Sequence, residues 1–140
     1  MRYGPKGFTQ RDEIREIMDP LLKSEEWGGI ISFSGLTVED GRKLLELLPA
    51  ANRECRQNAA PSFAEFVLDI GDLFPDAVFF GYQVIPQRED ERITIEGVLV
   101  PMVFPSRKVL DAVWQFAEGE PDEFDPWEHE GKDCWRLWWD

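Results

Sequence analysis

The chain has 140 residues, of which 28 are acidic and 15 basic, for a net charge of −13; 43% are hydrophobic and 31% charged. This length fits one domain with its own core, and the composition argues against disorder. The negative balance argues against nonspecific binding of nucleic acid, whose phosphates it would repel; it is compatible with solubility, a basic protein partner or mimicry of a nucleic acid.

The N-terminus, Met1-Arg2-Tyr3-Gly4-Pro5-Lys6, leads into the charged run Arg11-Asp12-Glu13 with no apolar signal segment. The longest apolar run, Val98 to Phe104, contains Pro101 and is too short to span a bilayer. Cys55 and Cys134 lie far apart and form no CxxC. The expectation is a cytoplasmic protein with two free, buried thiols and no membrane contact.

In chain order, Thr9 to Leu22 reads as a helix, with Thr9 and Asp12 forming a capping-box-like start and Ile14, Ile17, Met18, Leu21 and Leu22 on one face. Pro20 interrupts it, and Asp19 recaps a second short helix. Gly29 to Ser34 reads as a strand, turned by Gly35-Leu36 into a helix capped by Thr37 and Asp40 and stopped by Pro49. Its inward face is Val38, Gly41, Leu44, Leu45 and Leu48. A polar connection over 50–60 leads to a helix capped by Ser62 and Glu65, with Phe63, Phe66, Val67, Ile70 and Phe74 inward. Ala77 to Ile85 and Ile93 to Val100 read as strands around the charged tip Gln87 to Arg92. Ser106 caps a helix through Phe116, with Val109, Leu110, Val113, Trp114 and Ala117 inward. The stretch from Glu118 to Asp133 reads as an acidic loop, and Cys134 to Trp139 as a last strand.

Without the first helix the order is strand, helices, strand, strand, helix, strand. That order suggests an α+β, ferredoxin-like βαββαβ two-layer sandwich with an extra helix in the first crossover. The chain then reads as a single domain over 1–140, with an N-terminal helical extension at 1–28 and the core at 29–140. Helices cover one sheet face in this topology, and the other holds Ser32, Thr94, Glu96, Arg136 and Trp138.

The acidic stretch carries eight acids (Glu118, Glu120, Asp122, Glu123, Asp125, Glu128, Glu130 and Asp133), one base (Lys132) and the sole histidine, His129. Its carboxylates and imidazole are ligand types, but the spacing matches no metal loop and there is no second histidine, so no metal and no cofactor is expected. Phe124 and Trp127 are its expected apolar anchors, with Arg107, Lys108, Arg42 or Lys43 as its cations. At the helix start Ser106-Arg107-Lys108, cations oppose the helix dipole unless an anion binds there; with Glu96, these three residues form the candidate ligand site. Arg42, Lys43, Arg53 and Arg56 form a basic cluster read chiefly as exposed charge. Cys55 lacks a paired base, and no serine elbow, P-loop or dinucleotide fingerprint occurs.

The expected function is therefore a non-catalytic binding or interaction module, dimeric through Trp135, Trp138, Trp139 and Arg136. A basic protein or a small anionic ligand is the other expected partner. The alternative is a small-molecule enzyme or ligand-binding protein with an anion site at Ser106–Lys108.

Overall fold

Strands β1 (Leu22–Trp27), β2 (Ile30–Thr37), β3 (Val78–Val84), β4 (Arg92–Pro101), β5 (Glu123–His129) and β6 (Lys132–Trp138) form one sheet in the order β1-β2-β3-β4-β6-β5. The computed structural model describes residues 2–140, and every strand pair in it is antiparallel. Helices are α1 (Asp12–Met18), α2 (Val38–Leu47), the short α3 (Ala50–Arg53), α4 (residues 63–73, π-helical over Glu65–Ile70) and α5 (Ser106–Trp114). A 3-10 turn, Phe8–Gln10, precedes α1. No helix among the described residues is long and apolar enough to cross a membrane.

The mixed helix and strand content is as expected, but the six-stranded sheet differs from the four-stranded βαββαβ arrangement. Two strands are additional, and both arise from hairpins that end in two-residue turns. Gly28 and Gly29 have φ of 58° and 86°, and Glu130 and Gly131 have φ of 51° and 77°. Two successive positive φ values match the right-handed twist of the flanking strands, which is why such pairs close hairpins. The first turn pairs Trp27 with Ile30, so residues 22–27 form an edge strand rather than the end of a helix. The second pairs His129 with Lys132, so the middle of the expected acidic loop is strand β5 and its last two residues begin β6. β2 and β3 are also antiparallel neighbours although three helices separate them, so that connection is not a crossover between parallel strands.

Two of the capping signals hold. Thr37 Oγ1 accepts from the Asp40 amide at 3.1 Å, and Ser62 and Glu65 exchange reciprocal bonds of 3.1 and 3.0 Å. Thr9 is a different case. It does not cap α1; its amide (3.1 Å) and hydroxyl (2.5 Å) donate to Glu91, as does the Gly7 amide at 2.7 Å. The buried Glu91 carboxylate thus ties the N-terminal segment to the β3–β4 hairpin. Ser106 is likewise the first helical residue and not the cap, because Pro105 holds the N-cap position with extended backbone.

The core lies between the helices and one sheet face. Ile14 and Met18 of α1, Leu44 of α2, Phe63 and Phe66 of α4 and Val109 and Val113 of α5 meet Phe33, Leu36, Phe79, Ile95, Val98 and Leu137. Trp139 is 1% exposed, sits edge-on to Phe66 at 5.9 Å and donates its indole N–H to Gly119 O at 3.0 Å. Trp114, expected inward, is 38% exposed.

β6 pairs only with Gly97–Pro101 of β4, which leaves the first half of β4 without a strand partner on that side. The buried Asn52 fills the gap. Its amide donates to Ile93 O at 3.0 Å and its carbonyl accepts from Ile93 N at 2.9 Å. Removing that side chain strands the buried Ile93 N–H and leaves Ile93 O only the weak Cys55 thiol donor at 3.5 Å, so Asn52→Ala is expected to cost about 2–3 kcal/mol in urea unfolding. A loss under about 0.5 kcal/mol would mean that the edge is satisfied another way.

The uncovered sheet face as candidate site

Side chains alternate across a strand, so the residues that complement the core set point away from the helices. On β2 this gives Ser32, on β3 Phe80 and Tyr82, and on β4 Thr94, Glu96 and Leu99. β6 contributes Arg136 and Trp138, and β5 contributes Glu123, Asp125 and Trp127, which lie opposite Trp138, Arg136 and Cys134. The five residues expected on this face are all on it, although Thr94 is buried and accepts from Arg92 Nε at 3.0 Å. The open part of the face is therefore at the two ends of the sheet, β6–β5 and β1–β2, which both line one cavity.

Arg136 is the centre of the β6–β5 end. Its guanidinium carbon lies 4.9 Å from the Trp127 ring, 5.2 Å from Phe80 and 5.5 Å from Trp138. The Phe80 ring covers Gly97, where any side chain would collide with it. Ion pairs to Glu123 (3.4 Å) and Asp125 (3.9 Å) flank the guanidinium. Only the Glu123 contact is also a hydrogen bond, although the group has five donors and its side chain is 17% exposed.

Beside Arg136 is a cavity of about 300 Å³ lined by Lys23, Ser32, Glu96, Trp127, His129 and Arg136 among others. A groove of about 580 Å³ continues past Ser32 to Glu25, Ile30 and Trp27, which is 77% exposed. A hollow at Arg2, Lys6, Arg88 and Glu91 measures only about 40 Å³, roughly the room for a water. Burial raises the Glu96 carboxyl above the usual range; the Trp138 indole and Arg136 pull it back, Asp140 adds to the rise, and Lys23 opposes it.

The remaining sequence candidates are dispersed. Arg107 pairs with Asp111 at 3.6 Å, and the Lys108 ammonium lies 5.3 Å from the Phe104 ring. Neither they nor Ser106 line the cavity that Glu96 lines. Of the tryptophans at the chain end, Trp138 is on the open face, while Trp139 is in the core. Trp135 packs against the core and donates to Phe104 O at 3.0 Å. Trp127, expected to anchor the acidic stretch internally, is 49% exposed and stacks on Arg136; Phe124 packs with Trp135 at 5.7 Å. The cations that meet the acidic stretch are Arg136 and, at Glu118 (3.7 Å), Arg56. Lys43 pairs within its own helix, Arg53 bonds Leu48 O, and Arg56 bonds Ala60 O and pairs with Glu65 at 3.0 Å, so these three members of the basic cluster are engaged separately.

Among the described residues no three His, Cys, Asp or Glu side chains gather as metal ligands, and His129 meets only Glu130, at 3.9 Å. Both cysteines are free and buried. Desolvation pushes the Cys55 thiol up to about 11 and also raises Cys134, where Asp133 adds to the effect. Neither is a ready thiolate. Compared with protein-family models, curated proteins and solved structures, the chain matches none.

Two outcomes follow from these environments. A carboxyl whose folded pKa is raised binds its proton more tightly in the folded chain. Its effect on stability therefore turns unfavourable as pH climbs from about 4.3 through the raised value. Glu96→Gln should raise the melting temperature near pH 7 and change it little near pH 3.5; a lower melting temperature near pH 7 would mean that the ionised carboxylate is a net structural asset. Iodoacetamide near pH 8 should label neither cysteine in native protein and both in urea. Rapid native labelling of Cys55 would contradict its burial.

Proposed function

We propose that the chain is a non-catalytic binding module whose working surface is the uncovered sheet face around Arg136. One observation carries this: the helices cover one side of a six-stranded sheet, and the other side holds a cavity of about 300 Å³ beside half-exposed Trp127. That volume is at the lower end of small-molecule sites, roughly 300–1,000 Å³. Tryptophan and arginine are also the residue types that dominate binding energy at interfaces. The non-catalytic element is supported by the two raised thiols and by a cavity lining that does not include Ser106, Arg107 or Lys108.

The dimer inferred from three tryptophans has less behind it, since Trp139 and Trp135 are engaged with the core and two copies would each bring a charge of −13. An enzyme remains a second reading on a specific observation: the partly buried Glu96, with its raised carboxyl, lines a cavity with His129 and Arg136.

Screening small-molecule fragments and short peptides against labelled protein by amide and indole NMR shifts tests the proposal. Shifts are expected at Ser32, Glu96, Leu99 and Arg136 and at the Trp127 and Trp138 indoles. Binders that map to the helix layer or to Ser106–Lys108 would overturn it. Sedimentation of the same samples identifies a second copy as the occupant if the face closes on itself.

A further inference from the structure

The charges around the cavity restrict what can fill it. Arg136 offers a guanidinium fixed between three rings, with one hydrogen bond of 3.4 Å among the described residues. Lys23 lines the same space. Together they ask for a carboxylate or similar anion. Glu96, on the same wall, asks for a cation, and the Trp127 and Phe80 rings supply apolar walls suited to a small hydrocarbon or aromatic group.

Neither sign alone suits the site. A simple anion must approach a chain of net charge −13 and lie near Glu96, Glu123 and Asp125. A simple cation must sit against Arg136 and Lys23. A ligand carrying both charges has no net charge to be repelled and meets a partner for each end. Resting on the reading of this face as the binding surface, we propose that the cavity is a site for a small zwitterion of amino-acid type. Its carboxylate is held by Arg136 and Lys23, its ammonium by Glu96, and its apolar part lies against Trp127 and Phe80.

The test uses three probes matched in their apolar part: L-phenylalanine, with both charges; L-phenylalaninamide, with the cation; and 3-phenylpropionate, with the anion. Each is titrated into the full chain at constant ionic strength while tryptophan fluorescence is recorded. Phenylalanine is expected to bind at least about tenfold more tightly than either single-charge analogue. Arg136→Gln should abolish the preference over the amide, and Glu96→Gln the preference over 3-phenylpropionate. Because Arg136→Gln also removes ring contacts, Lys23→Gln serves as a milder variant and should reduce the preference over the amide by a few-fold.

Equal affinity for the three probes, or preferences unchanged in Glu96→Gln and Lys23→Gln, overturns the zwitterion assignment. So does an absence of saturable binding up to about 10 mM. The wider reading of the face is judged separately by where fragments and peptides map. Probes that bind at Trp127 without charge preference leave it standing, whereas binders confined to the helix layer remove both.

Discussion

A guanidinium wedged among three aromatic rings determines the shape of this protein's open face. Arg136 reaches from β6 to Phe80 on β3, Trp127 on β5 and Trp138 on its own strand, and to two carboxylates on β5. Each cation–π contact contributes about 0.5–2 kcal/mol when partly desolvated, whereas long, half-exposed ion pairs contribute about 0–1. The rings therefore hold the arginine, and the carboxylates mainly balance its charge. β5 sends Phe124 toward the helix layer and has few other core contacts. Its attachment rests on the ladder to β6, on Phe124 against Trp135 and on Arg136, and of these Arg136 is the one that touches Trp127 in the cavity wall.

The helix side follows from a different economy. Amphipathic helices, α2 and α4 of them capped by side chains, cover β2, β3, β4 and β6 with a continuous apolar core, and the polar gaps are closed by single side chains of fixed geometry. Asn52 replaces a missing strand partner on β4, and Glu91 gathers the amides of Gly7 and Thr9. With the helices on one side, the Arg136 end of the open face combines the Trp127, Phe80 and Trp138 rings with both charge signs.

Much of the helix layer was legible because caps and periodicity act within a few residues. Thr37 with Asp40, Ser62 with Glu65, and the inward sets of α2 and α4 all read directly. The two edge strands were not read, since Leu22–Trp27 and Glu123–His129 are largely exposed and lack a strong period-two pattern. Their signal was the turn: Gly28-Gly29 and Glu130-Gly131 each separate two short segments by two residues, a spacing that outweighs the composition of either segment. Without those strands the order of elements resembled βαββαβ. Ser32, Glu96, Arg136 and Trp138 were placed on the open face by alternation alone. The cavity also needed Lys23, Trp127 and His129, which came from the two unread strands.

Arg136 organises this face without supporting the core. The most direct measurement of that role is the amide and indole NMR spectrum of Arg136→Met beside the native protein. The Trp127 and Trp138 indoles and the β5 amides should shift, while amides of α2, α4 and the β3–β4 turn stay in place and the chain remains folded. Unmoved indoles, or shifts spread evenly through the helix layer, would contradict it.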